Sequence, residues 1–272
     1  MSLNVFISAD IEGITGFVHP TQDETDEAAR AMAADVNAAI DGIFEIYPDA
    51  TVVVADAHGR MRTIPQEGID QRATLVRGRG RPYGMVDGYD ETTDLAMFIG
   101  YHARPGRGGV LEHTFSGSLA EVSINGTPVG ELELNASLLA HHDIPVCLVT
   151  GDDVLAETVG HRLPHAGAVI SKYARGGRAA ICRPPEIVRE EIRQAASDIA
   201  QTPPPTATVE LPLDTPIDVD VRFQRSTHAE LASLWPEVEL GEESRSVHYR
   251  APDMPTAYRF AYATATVRPR DV

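Results

Sequence analysis

The sequence has 272 residues, of which 43% are hydrophobic, enough for one large domain or for a main domain with a smaller appendage. Aspartate and glutamate together number 40 against 23 lysines and arginines, which gives a formal net charge of -17 at pH 7. A chain of this charge is poorly suited to neutralising nucleic-acid phosphates or an anionic membrane surface, so we expect neither as a partner.

The beginning of the chain and its cysteines bear on location. The first apolar run, Leu3–Ser8, is short, has no basic leader and is followed at once by Asp10 and Glu12, which is typical neither of a signal peptide nor of a membrane span. Two cysteines, Cys147 and Cys182, are too few for a disulfide framework and fit a reducing compartment. We therefore expect a cytoplasmic protein.

Short apolar runs alternate with helix-like stretches in the first part of the chain. The apolar runs predict strands over Asn4–Ser8, Thr51–Ala55, Leu95–Ile99, Val146–Thr150 and Ala168–Ser171. The stretch Glu24–Tyr47 places Met32, Val36 and Ile40 on one stripe and is ended by Pro48, as expected of an amphipathic crossover helix. This alternation predicts an α/β fold with a mostly parallel sheet covered by helices.

A turn signal and a run of prolines organise the rest of the sequence. The Asn125-Gly126 pair favours a tight turn and predicts a β-hairpin over Glu121–Gly130. A triple proline at 203–205 cannot continue a helix, so it predicts a boundary between a main α/β domain, residues 1–203, and a smaller C-terminal α+β domain, residues 204–272. The other predicted elements are a helix over Pro184–Ala200, strands over Thr206–Leu211 and Ile217–Phe223, and helices over Thr227–Trp235 and Met254–Val267.

Two carboxylates stand at the carboxyl end of the first predicted strand, in Asp10-Ile-Glu12. Residues two apart in an extended chain project to the same side, and ligands of open α/β sheets bind at the carboxyl ends of the strands. The following Gly13 lets the backbone turn sharply away. The pair is a candidate for metal binding, although such a pair is more often solvated or caps a helix.

Two histidines follow the next predicted strands in the same way. His58 stands just past Thr51–Ala55, and His102 just past Leu95–Ile99. One histidine after a strand is commonplace and is usually a polar loop residue. Because parallel strands end at one edge of a sheet, both imidazoles and the acidic pair are expected to converge there.

Two further candidates lie between His102 and the fourth predicted strand. Glu131 opens a helix-like stretch, Leu132–His142, where a glutamate is favoured by the helix dipole alone, and Glu133 competes with it for any role. His113 is a ligand, a general acid or base, or an exposed loop histidine. Sequence spacing does not separate these alternatives.

The charge of the candidate ligands suits a pair of ions. Three carboxylates and two neutral imidazoles carry a charge of about -3, which two divalent cations and a hydroxide neutralise. Nitrogen and oxygen ligands without thiolate indicate zinc first, with manganese or cobalt as alternatives. The sequence has no Walker loop, no strand-associated GxGxxG motif and no GxSxG elbow; the glycines around Arg79 have the wrong spacing.

The ordered motifs resemble a known family over nearly the whole chain. They are Ser8-Ala-Asp10-Ile-Glu12-Gly13, Asp56-Ala-His58, Gly100-Tyr-His102-Ala-Arg104, His113, Pro128-Val-Gly-Glu131-Leu-Glu-Leu-Asn135 and Gly151-Asp-Asp153. In order and spacing this set is similar to the DppA-type zinc D-aminopeptidases, and it is far more specific than any single motif.

The resemblance implies a ligand set and an activity. It implies two zinc ions per subunit bridged by Asp10, with Glu12 and His102 completing one site and His58 and Glu131 the other, and it makes His113 the catalytic residue. All these residues lie in the predicted domain 1–203, which is then the metal-binding catalytic domain. The implied protein is a binuclear zinc aminopeptidase that hydrolyses short peptides, with an N-terminal D-amino acid, and assembles as a homodecamer.

Two alternatives remain open on the residues alone. One is another bimetallic amidase or a phosphoesterase, with Arg104 and Lys172 as candidate cationic clamps. The other is a noncatalytic metal-binding assembly protein, which has no use for an uncoordinated His113. The sequence assigns no role to Asn135.

Overall fold

Two β-sheets and six α-helices make up the fold. The computed structural model describes residues 2–22, 25–204 and 208–266. The strands are β1 (Asn4–Ala9), β2 (Thr51–Asp56), β3 (Ala73–Val76), β4 (Leu95–Ile99), β5 (Leu119–Ile124), β6 (Thr127–Val129), β7 (Val146–Asp152), β8 (Gly167–Gly176), β9 (Ala179–Cys182), β10 (Ile217–Phe223), β11 (Glu239–Leu240) and β12 (Ser246–Ala251). The helices are α1 (Asp26–Ile46), α2 (Glu131–His141), α3 (Asp153–Arg162), α4 (Pro185–Gln201), α5 (Ser226–Ala232) and α6 (Met254–Thr264).

The first sheet has seven strands in the order β3-β2-β1-β4-β7-β8-β9. All neighbouring pairs are parallel except β8 and β9. In register, Ile7 of the central strand β1 lies between Val54 and Met97. The predicted α/β fold with a mostly parallel sheet is therefore confirmed, as are the five strands predicted for it.

The two faces of the first sheet are covered by different elements. Val5 and Ile7 of β1 point towards α1 and α4, while Phe6 between them points to the opposite face, packed with α2, α6 and the second sheet. This alternation is the two-residue period of a strand. Burial on both faces explains why these strands read as continuous apolar runs.

Helix α1 follows its sequence signals closely. Thr25 caps it by accepting a hydrogen bond from the backbone N–H of Ala28 at 3.2 Å, and the helix ends just before Pro48. Met32, Val36 and Ile40 are fully buried along the predicted stripe. The predicted first residue, at position 24, lies outside the described residues, and the observed helix starts at Asp26.

The second sheet is antiparallel, in the order β11-β12-β10-β5-β6. It contains the predicted hairpin, whose turn residues Asn125 and Gly126 have φ angles of +46° and +76°. The Asn125 side chain also accepts from the backbone N–H of Asp218 at 2.7 Å. The sheet therefore joins the hairpin to strands that follow the triple proline, and the division at residues 203 and 204 stays a prediction.

Some predicted elements differ from those observed. The strand predicted over Thr206–Leu211 is wrong for residues 208–211, which form no strand; residues 206 and 207 lie outside the described range. There the backbone N–H of Glu210 donates to the carbonyl of Arg162 at the end of α3, so no strand partner is available. Helix α5 ends at Ala232 and α6 at Thr264, earlier than predicted, and residue 267 is not described.

Several elements had not been predicted. They are β3, β9, β11, β12 and α3, together with the C-terminal part of β8. β3 is only partly buried, so it lacks the apolar run by which the central strands are recognised. Within residues 2–22, 25–204 and 208–266, no helix combines the length and apolar composition that crossing a membrane requires.

A buried lysine fixes the loop that follows β1. Lys172, the only lysine of the sequence, is fully buried on β8. Its ammonium donates to the carbonyls of Glu12, Ile14 and Phe17 at 2.5, 3.0 and 2.5 Å. These three hydrogen bonds set the path of the chain just after the acidic pair.

Replacing Lys172 by methionine should strongly destabilise this loop. The change leaves three interior carbonyls without donors, and each unsatisfied group costs about 1–3 kcal/mol. We therefore expect the free energy of unfolding of chelator-treated protein to fall by about 3 kcal/mol or more in denaturant titrations. Ser171→Ala is the control, since it removes one buried hydroxyl and should cost about 1 kcal/mol. Equal small losses in both variants would show that Lys172 does not hold the loop.

Candidate metal centre

All six residues singled out in the sequence meet at the carboxyl edge of the first sheet. Asp10 and Glu12 follow β1, His58 follows β2, His102 follows β4, Glu131 opens α2, and His113 lies in the loop between β4 and β5. The convergence of parallel strand ends explains the first four. Glu131 and His113 do not follow strands of the first sheet: Glu131 is brought to this edge by α2, and His113 by the long loop that precedes β5.

His58 lies against the acidic pair. Its Nδ1 atom is 3.4 Å from Asp10 Oδ1 and 3.2 Å from Glu12 Oε2. Asp10 Oδ1 also accepts the backbone N–H of Ile11 at 2.9 Å, which fixes the orientation of its carboxylate. Both carboxylates are buried, so the contacts are made out of bulk water.

His102 lies on the other side of Asp10. Its Nε2 atom is 3.5 Å from Asp10 Oδ2 and 3.2 Å from Glu131 Oε2. Asp10 thus presents one oxygen to each of two histidines, the placement expected of a bridging carboxylate. Ligand atoms of Asp10, Glu12 and His102 all lie within 4.8 Å of one another, as do those of His102, His113 and Glu131. The division of ligands between two ions stays a prediction.

The ring nitrogens of this cluster are suited to a cation. His102 Nδ1 lies 3.0 Å from the carbonyl oxygen of Ala103, which requires the proton on Nδ1 and leaves a lone pair on Nε2. That buried Nε2 has no hydrogen-bond partner and faces two carboxylates. In the neutral ring, a lone pair facing carboxylate oxygens is repulsive, so this position calls either for a proton on Nε2 or for a metal ion, and the donor set fits a metal ion.

The pKa values of Asp10, His58 and His102 also show that this cluster favours bound positive charge. Burial and the nearby Glu12 raise the pKa of Asp10 to about 7. Burial disfavours the charged form of His58, but Glu12 and Asp10 outweigh it and raise its pKa to about 11. Burial acts likewise on His102, and Glu131 outweighs it to give a pKa of about 10. A metal ion therefore competes with protons for these rings.

The two glutamates at the start of α2 have separate partners. Glu131 faces His102 and accepts the backbone N–H of Phe115 at 2.5 Å. Glu133 points away and accepts the backbone N–H of Gly130 at 2.9 Å, so it caps the helix. Of the two, only Glu131 belongs to the cluster, a distinction that sequence spacing could not make.

His113 stacks on His102 at the opening of the cluster. The ring centroids are 4.2 Å apart with an interplanar angle of 7°, and His113 Nε2 is 3.7 Å from Glu131 Oε1. The His113 side chain is 28% exposed and that of His102 only 1%. Its Nδ1 lies 2.9 Å from the carbonyl oxygen of Leu111, which directs Nε2 towards the cluster. Leu111 and Phe115 have φ angles of +55° and +56°, so the loop that presents His113 is strained.

Several residues that support the site were not assigned roles from the sequence. Asn135 donates to the Tyr101 hydroxyl at 2.9 Å, and that hydroxyl is 2.7 Å from Ser8 Oγ, which forms a buried polar chain near the cluster. Asp152 accepts the backbone N–H of Val110 at 2.7 Å and so holds the start of the His113 loop. The matched motifs contained Ser8, Asn135 and Asp152, but their supporting roles depend on tertiary contacts.

The remaining polar candidates do not point into the cluster. Arg104 donates to the carbonyl of Pro105 at 2.9 Å, and Lys172 binds three carbonyls of the β1 loop. Asp56 is fully buried and accepts the backbone N–H of Ile64 at 2.7 Å, so it shapes the loop that carries His58. These residues position the backbone around the site.

A buried set of carboxylates and imidazoles at the carboxyl edge of a parallel sheet is typical of metal-dependent hydrolases with an α/β fold. The sequence profile of the D-aminopeptidase family matches residues 3–263. A D-aminopeptidase of Bacillus subtilis (strain 168) is 30% identical over 266 residues, which cover 94% of each chain.

Comparison of structures gives the same relationship. The zinc-dependent D-aminopeptidase DppA from Bacillus subtilis, described as a self-compartmentalizing protease, superposes with a TM-score of 0.90 at 28% identity and 96% coverage of each chain. The present chain belongs to the D-aminopeptidase family and is a metallo-aminopeptidase. The family resemblance seen in the sequence is thereby confirmed.

The separate roles of Glu131 and Glu133 can be tested directly. Glu131→Gln removes a carboxylate charge from the cluster, so the amount of metal bound per chain after dialysis, measured by mass spectrometry, should fall below that of the wild type. Glu133→Gln should retain the metal and lower the free energy of unfolding by about 1 kcal/mol through a weaker cap. Loss of metal from the Glu133 variant alone would reverse the assignment.

Proposed function

We propose that this protein is a binuclear zinc aminopeptidase that releases the N-terminal residue, a D-amino acid, from short peptides. The observation that carries the proposal is the buried cluster in which Asp10 offers one oxygen to His58 and the other to His102. The names of its relatives support the hydrolysis of D-amino-acid peptides, and that of DppA supports zinc.

Five side chains are proposed to hold two zinc ions. Asp10 would bridge them, with Glu12 and His102 at one ion and His58 and Glu131 at the other. When bound, the ions lower the pKa of a water molecule and polarise the scissile carbonyl. The free amino terminus of the peptide is proposed to lie at this cluster, which restricts cleavage to the amino-terminal residue.

His113 is proposed to move the proton. Its exposed edge lies at the opening, where the leaving amine of a peptide would stand, and the Leu111 carbonyl fixes the tautomer that leaves Nε2 available. From that position Nε2 can accept a proton from the attacking water and then pass it to the leaving amine, or, once protonated, stabilise the charge that develops on the carbonyl oxygen. Stacking on the buried His102 ring limits its rotation.

The phosphoesterase alternative has less support. Its candidate clamps were Arg104 and Lys172, and both side chains donate to backbone carbonyls instead of facing the cluster. The noncatalytic alternative leaves the strained loop and inward-facing nitrogen of His113 without a use.

Assembly and location complete the proposal. We propose a homo-oligomer because the relative DppA is described as a self-compartmentalizing protease, and more specifically a homodecamer because the family resemblance implies one. Exposed apolar side chains around α5, led by Leu234 at 76% exposure with Trp235 and Leu240, are candidates for the contact surface. A cytoplasmic location is supported by the two cysteines, Cys147 and Cys182, neither of which forms a disulfide.

The role of His113 is tested by alanine substitution. Because His113 is proposed to act on protons and not to bind metal, His113→Ala should lower kcat by about a hundredfold or more while zinc content stays near two per chain. The control is His165→Ala, a partly exposed histidine next to Thr208 and outside the cluster, which should leave kcat unchanged. Full activity in the His113 variant would contradict the proposed role, and loss of zinc would make it a ligand.

The handedness of the substrate is tested with matched peptides. The zinc-loaded protein should release alanine from D-Ala-D-Ala at least about tenfold faster than from L-Ala-L-Ala, as judged by kcat/KM from the released amino acid. A preference for the L peptide would overturn the D specificity and keep the peptidase. Hydrolysis of a chromogenic phosphate ester without hydrolysis of either peptide would overturn the function itself.

A further inference from the structure

A second, larger cavity adjoins the metal cluster. The cleft at the cluster has a volume of about 90 Å³, and its lining includes Asp10, Glu12, His58 and Glu131 together with Gly59 and Arg79. The neighbouring cavity has a volume of about 780 Å³ and shares His58 and Gly59 with that cleft. Four arginines line it: Arg30, Arg60, Arg62 and Arg77.

These arginines, with Arg79, form a cluster of basic side chains in a chain that has 40 acidic residues against 23 basic ones. Several exposed arginines elsewhere bind carboxylates: Arg72 binds Asp41 and Asp70, and Arg183 binds Glu191. Among the described residues, none of the five cavity and cleft arginines forms a salt bridge. Four arginines against one carboxylate, that of Asp26, line the larger cavity, so it favours a ligand that carries negative charge.

The loop that carries two of them is built to hold the side chains in place. Arg79 Nε donates to the Gly59 carbonyl at 2.8 Å, and Arg77 Nη2 donates to the Arg62 carbonyl at 2.9 Å. Each bond uses one of the five N–H donors of a guanidinium, so the fork remains available to a carboxylate. Gly78 and Gly80 have φ angles of +95° and +92°, with open space where a Cβ would lie, so glycine is needed here for backbone conformation.

We propose that Arg79, with Arg60, Arg62 and Arg77 beyond it, binds the C-terminal carboxylate of the peptide whose amino terminus lies at the metal cluster. This inference rests on the proposed peptidase function and names the part of the substrate that it had left open. The acidic cluster takes the ammonium end and the arginines take the carboxylate end, which aligns a short zwitterionic peptide across the scissile bond.

The size of the two spaces agrees with a short substrate. An extended peptide of two to four residues spans roughly 7–14 Å. Arg79 lines the metal cleft itself and is therefore placed for a dipeptide. Arg60, Arg62 and Arg77 line the larger cavity and are placed for longer peptides. A peptide without a free carboxylate loses this interaction.

Steady-state kinetics with an alanyl dipeptide and its C-terminal amide test the proposal. The wild type should have a KM for the free acid at least about tenfold below that for the amide, because a charged guanidinium pair is lost with the amide. Arg79→Gln should raise KM for the acid about tenfold, change kcat less than about twofold, and abolish the difference between acid and amide. Arg250→Gln, an exposed arginine on β12, is the control and should keep the preference.

A binding measurement makes the test independent of turnover. A reduced dipeptide, with CH2–NH in place of the peptide group, is not hydrolysed and is titrated calorimetrically into the zinc-loaded protein as acid and as amide. The inference is supported if the wild type binds the acid more tightly than the amide and Arg79→Gln binds both equally. If this result is obtained but no peptide is hydrolysed, only the proposed function fails. Equal binding of acid and amide by the wild type, with peptidase activity intact, overturns the inference alone.

Competition by inorganic phosphate tests whether the arginines bind a phosphate instead of a carboxylate. Phosphate that competes with the reduced peptide more strongly than acetate does, together with hydrolysis of a chromogenic phosphate ester, would identify a phosphate subsite and overturn the carboxylate proposal. Phosphate competition no stronger than that of acetate agrees with it.

Discussion

The structure of the site depends on several carboxylates that are buried close together at the carboxyl edge of the first sheet. Asp10, Glu12 and Glu131 are buried within reach of two imidazoles, and burial of like charges is costly unless positive charge is held between them. The raised pKa values of His58 and His102 are one answer, and bound cations are the other. The proposed chemistry follows from this arrangement, because the same field that attracts metal also attracts the ammonium of a peptide.

Hydrogen bonds between buried side chains and the backbone fix the loops that carry these carboxylates and histidines. Lys172 fixes the loop after β1 through backbone carbonyls, Asp152 fixes the loop of His113, and Asp56 fixes the loop of His58. Each support is a charged group bonded to the backbone, so each loop is held without a further carboxylate entering the cluster. Glu133 follows the same rule by capping α2 beside Glu131.

Charge is distributed far more unevenly than the composition indicates. The net charge of -17 argues against binding of polyanions, and the acidic excess is real over most of the chain. Beside His58, however, four arginines line a cavity, and none of them forms a salt bridge within the part of the chain that the structure describes. Net charge therefore describes long-range attraction, whereas recognition of a single carboxylate depends on the few groups that face it.

The sequence by itself determined the parallel sheet and most of the candidate site. Continuous apolar runs identified the central strands. Because the carboxyl ends of parallel strands meet at one edge, the sequence alone placed Asp10, His58 and His102 close together. Local spacing did not separate Glu131 from Glu133 or give His113 one role, and only the family resemblance singled them out. Tertiary structure alone decides how they reach the cluster, Glu131 at the start of α2 and His113 in the loop between β4 and β5, because packing over the sheet edge leaves no local pattern. The strand predicted over Thr206–Leu211 was wrong over residues 208–211 for a related reason: a strand needs a neighbouring strand as well as apolar residues, and only the folded chain decides which backbone lies alongside.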